Sequence, residues 1–293
     1  MRKARYSRRM NVAILTPAVE ELLYKSFWPE WFAKLEAGLA ASGVAATPHI
    51  WTEPLEGAFD AVLPMIAWGY HKRPADWLAR LDAFEAAGQR MINPVSVLRW
   101  NTDKAYLAEL GAKGAPVVPT ISVEKLTAEN LEAARDSFGG GVVVAKPRIS
   151  GGSHQTLKLA PGDDLGDGVD GPALIQPFLP AVGKEGEISL LYFGGKFSHA
   201  VTKVAARGDF RVQPQFGGQV SRVKPWDGAE GVAQEILAAV PPLAYARIDL
   251  LRGLDGQLKL MELEAIEPDL FLQYAPKAGG RFGAAVKAAL EAG

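Results

Sequence analysis

The residues with the clearest capacity for chemistry lie towards the carboxyl end. Arg247-Ile-Asp249-Leu-Leu is followed by a Gly/Asp turn at 253–256 and then by Leu260-Met-Glu262-Leu-Glu264. Side chains two apart on a strand share a face. A hairpin here therefore groups Arg247 with Asp249 and Glu262 with Glu264. Ile248, Leu250, Met261 and Leu263 are predicted to point to the opposite, buried side. If the polar faces coincide, three carboxylates and an arginine crowd one patch. Such carboxylates repel unless a cation sits between them. Hard oxygen donors in this number suit Mg²⁺ shared with phosphate oxygens. A solvated hairpin face with an ion pair is the plainer reading of the same segment.

Several groups suited to anions come earlier in the chain. Lys146 ends the apolar run Val142-Val-Val-Ala-Lys146-Pro147, as a snorkelling edge residue or a phosphate ligand. Next comes Ser150-Gly151-Gly152-Ser153-His154, between two strand candidates. Its paired glycines let backbone N–H groups approach an anion, although a plain hairpin loop has the same composition. Lys104 falls in the first turn of a helix predicted from Thr102, which is placed to cap it. In Gln176-Pro177-Phe178-Leu179-Pro180, Pro177 removes a donor and leaves nearby backbone groups free to face a ligand such as adenine. Glu187 opens the following strand. Gly166-Asp-Gly-Val-Asp-Gly171 matches G-x-G-x-x-G but follows an acidic loop and precedes a strand, so it reads as a turn. There is no P-loop, no H-E-x-x-H and no G-x-S-x-G.

Positioning these groups requires a particular set of elements. Strands are predicted at 11–16, 44–50 and 60–66, with helices at 28–42 and 75–87 that stop at Gly43 and Gly88. This is a small α/β lobe with a mostly parallel sheet. Ligands of such sheets sit beyond the carboxyl ends of the strands, which here carry Thr16 and Trp68-Gly69-Tyr70-His71. Further strands are predicted at 142–147, 155–159, 173–178, 187–193, 196–204, 245–251 and 257–264, with helices at 229–240 and from 278. Strands then outnumber helices, so the second half is α+β.

Composition removes other classes. The chain has 293 residues, 48% apolar and 22% charged, which suits two or three packed lobes. The formal net charge of -1 gives no field towards nucleic acid or membrane. No apolar run approaches the ~18 residues of a bilayer span. The absence of cysteine excludes disulfides, thiolate metal sites and a cysteine nucleophile, and fits a cytoplasmic protein. Residues 1–10 form a basic stretch, read as a disordered tail or as the product of an upstream start with Met10 as the native one.

From about residue 90 to 285, the order of these features resembles the ATP-grasp superfamily, in the branch of glutathione synthetase and the RimK-type ligases. NPVSVLRWNTDK, QPFLPAVGKEGEISL and ELEAIEPDLFL look most like a bacterial group of small ATP-grasp proteins. That group is similar to cyclo-ligases that close O-ureido-D-serine in D-cycloserine formation. The resemblance implies an ATP-grasp fold, mixing α/β and α+β: an N-terminal α/β lobe (11–95), a connecting helix segment (96–117), a mobile lid (118–180) and a C-terminal antiparallel-sheet subdomain (181–293). It implies a ligase that activates a small amino-acid-like carboxylate as an acyl phosphate and passes it to an amine, on the same molecule or a second one. ATP and two Mg²⁺ are implied as cofactors, with Mn²⁺ as an alternative, and a homodimer as the assembly.

Residue by residue, Lys104 and Lys146 match the family's phosphate-binding lysines, and Gly151, Gly152 and Ser153 its mobile loop. Gln176, Phe178 and Leu179 match the adenine hinge, and Glu187 the ribose-binding acid. Asp249, Glu262 and Glu264 match the metal ligands; Lys203, Arg211 and Arg247 match basic groups near the transferred phosphate. Substrate contacts are expected from Thr16, Tyr70, His71, His154 and Glu267. Two positions depart from the pattern: Glu264 stands where asparagine is common, and Ser189 where an arginine often lies. A regulatory or non-catalytic ATP-binding protein and an ATP-grasp phosphotransferase are the competing readings.

Overall fold

The computed structural model describes residues 10–21 and 24–292. Most of the expected basic tail therefore falls outside the described residues, and Met10 already belongs to a strand. The chain opens with β1 (Met10–Thr16), α1 (Trp28–Ala40), β2 (Val44–Ile50), β3 (Ala61–Leu63) and α2 (Pro74–Ala86). The three strands form a parallel sheet in the order β2-β1-β3. β1 is central, and Val12 to Leu15 are fully buried, as befits a strand covered on both faces. Both helices run into glycines with positive φ, Gly43 (81°) and Gly88 (63°), where a left-handed residue ends a helix cheaply. β3 is shorter than predicted because Pro64 has no N–H to continue the ladder.

The connecting segment differs from expectation. The helix predicted from Thr102 is two helices, α3 (Val95–Thr102) and α4 (Tyr106–Ala112), and Lys104 lies between them. Thr102 ends α3 rather than capping a helix. Its hydroxyl donates to the Leu98 carbonyl (2.8 Å) and accepts from Trp77 Nε1 (2.9 Å). The buried face Val97, Leu98, Asn101 and Thr102 has helical spacing and begins just after Pro94, which the single-helix reading overlooked.

The next unit comprises β4 (Ile121–Val123), α5 (Ala128–Ser137), β5 (Val143–Pro147), β6 (Leu157–Leu159) and β7 (Ala173–Pro177). Its strands pair antiparallel in the order β4-β7-β5-β6, closed over a small core that includes Leu131, Val143 and Ile175. The G-x-G-x-x-G match lies in turns, as predicted. The last unit contains β8 (Glu187–Phe193), β9 (Lys196–Val204), β10 (Gln219–Val223), α6 (Ala229–Ala238), β11 (Tyr245–Arg252), β12 (Leu258–Glu264) and α7 (Ala278–Glu291). Its antiparallel sheet runs β10-β9-β8-β11-β12. One apolar face packs on α4 and α6; the other meets the N-terminal lobe and α7. There α1 and α7 touch backbone to backbone: a Cβ on Gly38 would lie 2.5 Å from the Gly279 carbonyl oxygen.

Candidate active site

β11 and β12 form the predicted hairpin. Arg247 is opposite Glu264, and Asp249 opposite Glu262. A bulge after Asp249 then pairs Leu250 with Leu260. This extra residue changes the alternation. Met261 does not point to the opposite, buried side as predicted; it packs with Val118, Leu179 and Leu251 along a cleft. Ile248, Leu250 and Leu263 do enter the core behind the sheet.

β12 is an edge strand, and its outer backbone is satisfied by buried groups. Asn101 Nδ2 donates to the Leu263 carbonyl (2.8 Å), and its Oδ1 accepts from Ala265 N–H (2.9 Å). The Tyr106 hydroxyl donates to the same Leu263 carbonyl (3.0 Å) and accepts from Leu263 N–H (2.9 Å). Asn93 holds the following residue by donating to the Ala265 carbonyl (2.9 Å). The strand bearing both glutamates is thus fixed from outside the sheet.

On its cleft face, one carboxylate oxygen from each of Asp249, Glu262 and Glu264 lies within 4.8 Å of the others. Arg247 donates to Asp249 through Nε (2.9 Å) and a terminal nitrogen (2.8 Å), and also bridges to Glu264. Lys203 Nζ donates to Asp249 (2.9 Å) and pairs with Glu187. Burial raises the Asp249 pKa, but Arg247 and Lys203 outweigh it and hold the carboxyl below its ordinary value. Burial pushes Glu264 well above the carboxylate range, with Glu262 and Asp249 adding repulsion against Arg247. Burial likewise lifts Glu187 to about 7 despite Lys203. Glu264 has Arg247 alone as a positive partner among the described residues and shares it with Asp249, which is the electrostatic condition that a divalent ion relieves.

Lys104 donates to the Ser150 carbonyl (2.6 Å) and pairs with Glu262 at 3.2 Å. Lys146 lines the same cleft with no ion pair among the described residues, and burial lowers its pKa to about 8. Gly151, Gly152 and Ser153 line the cleft between these lysines and His71. Gly151 is confined: a Cβ there would lie 2.8 Å from His71 Nδ1. Burial, and then Lys104, lower His71 to about 4, so its ring is neutral.

The cleft has a volume of about 780 Å³. One end is an apolar slot of Val118, Val144, Phe178, Leu179, Leu251 and Met261. Gln176 is held there by donating to Thr120 Oγ1 (2.8 Å), and its buried carbonyl oxygen has no partner among the described residues. Lys158 Nζ sits 3.9 Å above the Phe178 ring. The acids and lysines occupy the middle. The other end is built by the N-terminal lobe and the loop after β12, and includes Tyr70, His71 and Glu267.

Two predicted substrate residues do not line this cleft. Thr16 is buried at the end of β1, and His154 is exposed beyond the glycine loop. Arg211 lines the rim but pairs with Asp209 (2.8 Å) and stacks on Phe216, away from the acids. Ser189 lies in register with Asp249 on β8 and is fully buried. Residues that sequence reasoning missed are the slot residues Val118, Leu251 and Met261, together with Asp269 and Trp31. For Met261 the signal is unreadable, because a bulge leaves no periodic trace. For Asp269 it was available, two residues after Glu267 on the same loop.

Fold and site together define an ATP-grasp enzyme. A RimK-domain ATP-grasp protein from Sphaerobacter thermophilus superposes with a TM-score of 0.66 at 17% identity, covering 94% of this chain and 98% of that one. The crystal structure of the D-cycloserine synthetase DcsG gives 0.79 at 27% identity, covering 96% and 99%. A family profile described as the N-terminal domain of D-cycloserine synthetase DcsG matches residues 12–93. The cycloserine biosynthesis protein DcsG of Streptomyces lavendulae is 30% identical over 257 residues, 78% of this chain and 82% of that protein. The chain belongs to the DcsG family of ATP-grasp ligases, and it is an ATP-dependent ligase that forms C–N bonds.

Proposed function

We propose that this ligase activates a small amino-acid-like carboxylate by phosphoryl transfer from ATP and hands the acyl phosphate to an amine, on the same molecule or a second one. The observation that carries the reading is the convergence of Asp249, Glu262 and Glu264 in mid-cleft, between an apolar slot and a chamber facing the N-terminal lobe. Adenine fits the slot against Gln176, Phe178 and Leu179, with Glu187 at the ribose. Lys104, Lys146 and the 151–153 loop face the phosphates, where buried cations and free backbone N–H groups stabilise charge moving with the γ-phosphoryl group.

The acid trio suits a hard divalent cation, and two Mg²⁺ are the proposed complement. When bound, Mg²⁺ neutralises phosphate charge and aligns its oxygens for transfer. Arg247 is the residue best placed to steady the acyl phosphate, because it already lies against Asp249 and Glu264. Lys203 supports Asp249, and Arg211 reaches the site only if the 205–218 loop moves inward. Closure of the glycine loop excludes water from the reactive intermediate.

The test is release of ADP and phosphate from Mg-ATP across a panel of amino acids and dipeptides that includes O-ureido-D-serine. Release that depends on one substrate, yields an amide and is lost in Glu262→Gln is the expected result. A stable phosphoester as product would replace the ligase chemistry with phosphotransfer. Failure of the folded protein to bind ATP would remove the reading.

A further inference from the structure

One end of the cleft is not needed by nucleotide or metal. Trp31 and Trp68 meet edge to face with centroids 5.7 Å apart, and Tyr24 leans on Trp68 at 5.5 Å. Tyr70 completes this aromatic wall, only 7% exposed, with its hydroxyl unpartnered among the described residues. Across the chamber stand Glu267 and Asp269. Among the described residues Glu267 makes no hydrogen bond and no ion pair. Burial pushes its carboxyl up to about 8, even though Lys104 and Arg247 pull the other way. Both of those cations are already engaged, Lys104 by Glu262 and Ser150, Arg247 by Asp249 and Glu264. Asp269 accepts from Phe271 N–H (2.6 Å) and faces, with Lys34, a second small cavity behind Trp31 and Trp68. Lys34 is itself paired with Glu30 at 2.8 Å.

A half-buried acid with no base against it is poorly solvated as an anion unless a ligand supplies the opposite charge. With its carboxyl raised to about 8, Glu267 is mostly protonated at neutral pH, and a cationic ligand is what lets it ionise and pair. Aromatic faces attract cations. The phenol oxygen accepts a hydrogen bond, and a primary ammonium carries three donors to share between phenol and carboxylate. His71, being neutral, offers no competing positive charge. The chamber adjoins the acid trio, since Tyr70 feels Glu262 and Glu264 as well as Glu267. A group held here adjoins the place where a carboxylate would meet the phosphates.

Resting on the ligase reading above, we infer that Glu267 and Tyr70 bind the primary ammonium group of the substrate whose carboxylate is activated. The enzyme thereby selects α-amino acids with a free amine.

The test titrates the full-length chain, with Mg²⁺ and a non-hydrolysable ATP analogue, against O-ureido-D-serine, D-serine and D-alanine and against the N-acetyl form of each. Phosphate release is measured on the same pairs with ATP. At least one free amine binds, and its N-acetyl partner binds about 30-fold more weakly or worse, the loss of one charge-assisted contact and its fit. Glu267→Gln raises KM for the free amine by about 10- to 100-fold while kcat changes by less than about threefold. Tyr70→Phe acts in the same direction by a smaller factor, and Glu267→Asp recovers part of the loss. Unchanged affinity of the analogue in each variant shows that the fold and nucleotide site survive.

Equal binding of free and acetylated partners overturns the inference. So does a Glu267→Gln variant whose kcat and thermal stability fall while KM stays constant, because that is a structural role. If no free amine binds, the ammonium site is wrong, and the parallel nucleotide titration decides separately whether the ligase reading falls with it.

Discussion

His199 shows how one buried side chain sets a pH limit. It is 3% exposed on β9, with Nδ1 at 2.9 Å from Ser198 Oγ and Nε2 at 2.9 Å from the Leu270 carbonyl. Burial lowers its pKa from 6.5 to about 4. Between those values the unfolded chain binds a proton that the native chain refuses. The contribution is fully present above pH 6.5 and is lost as pH falls through that window, about 3 kcal/mol at most. Denaturant titrations at pH 7.5 and 5 should show a larger acid loss for the wild type than for His199→Gln. Equal losses would show that His199 protonates freely in the folded state. Glu267 and Asp269 carry raised pKa values and so act with the opposite sign, which makes the difference between the two proteins the informative quantity.

A second prediction at this scale concerns Gly151 and His71. Gly151 has no need of a left-handed backbone; it is glycine because the His71 ring occupies the space of a Cβ. Gly151→Ala should lower kcat/KM by roughly 5- to 100-fold, the usual 1–3 kcal/mol of overpacking expressed in rate. Adding His71→Ala should restore part of it, although His71→Ala alone lowers activity. A double variant no better than Gly151→Ala would mean that the ring is not the obstacle.

At the scale of elements, β12 depends on its buried side-chain partners. Tyr106→Phe removes both hydrogen bonds to Leu263 and leaves a buried N–H and part of a carbonyl unpaired. A loss of about 1–3 kcal/mol in unfolding free energy is expected, with weaker Mg²⁺ dependence because Glu262 and Glu264 flank that residue. Unchanged stability by denaturant titration would show that water replaces the hydroxyl. The same strand marks the limit of what the sequence discloses. The hairpin strands Glu187–Phe193 and Lys196–Val204 were readable to the residue, and two-residue spacing grouped Arg247 with Asp249 and Glu262 with Glu264. It could not show the bulge that turns Met261 into the slot, because a bulge is a property of two strands together. α5 was legible but unread: Thr127 and Asn130 form a capping box at its start. β10 is half-exposed and polar, so its pairing with β9 comes from the sheet rather than from any pattern of its own. The paired helices α3 and α4 were hidden by length, since each is only two turns.

For the whole molecule, the relevant fact is that the cleft is shared. β5 and β7 contribute Lys146 and Gln176, β8 and β11 contribute Glu187 and Asp249, and the N-terminal lobe contributes Tyr70 and His71. No single sheet contains a complete site, so a bound nucleotide adds a link between the β4-β7-β5-β6 sheet, which closes over its own small core, and the five-stranded sheet, which shares a core with the N-terminal lobe. A ligand that binds only the native arrangement stabilises it by mass action, by about 2.7 kcal/mol at a hundredfold excess over Kd. For a chain of this size that corresponds to a rise in Tm of roughly 4–5 °C. Mg-ATP should produce such a rise, and should also slow proteolysis within residues 148–156, because this loop lines the cleft and carries no helix or strand of its own. Removing Mg²⁺ with EDTA in the presence of ATP should cancel most of the rise, since the phosphates then meet the acid trio without a cation between them. Glu262→Gln should lower Tm slightly in the absence of ligand, because Lys104 and Lys146 outweigh Asp249 and hold this carboxylate below its ordinary value, and it should also lose the Mg²⁺-dependent increment. A Tm that rises equally with ATP alone and with Mg-ATP would mean that the three carboxylates do not work through a metal, and that Arg247 and Lys203 suffice to offset them.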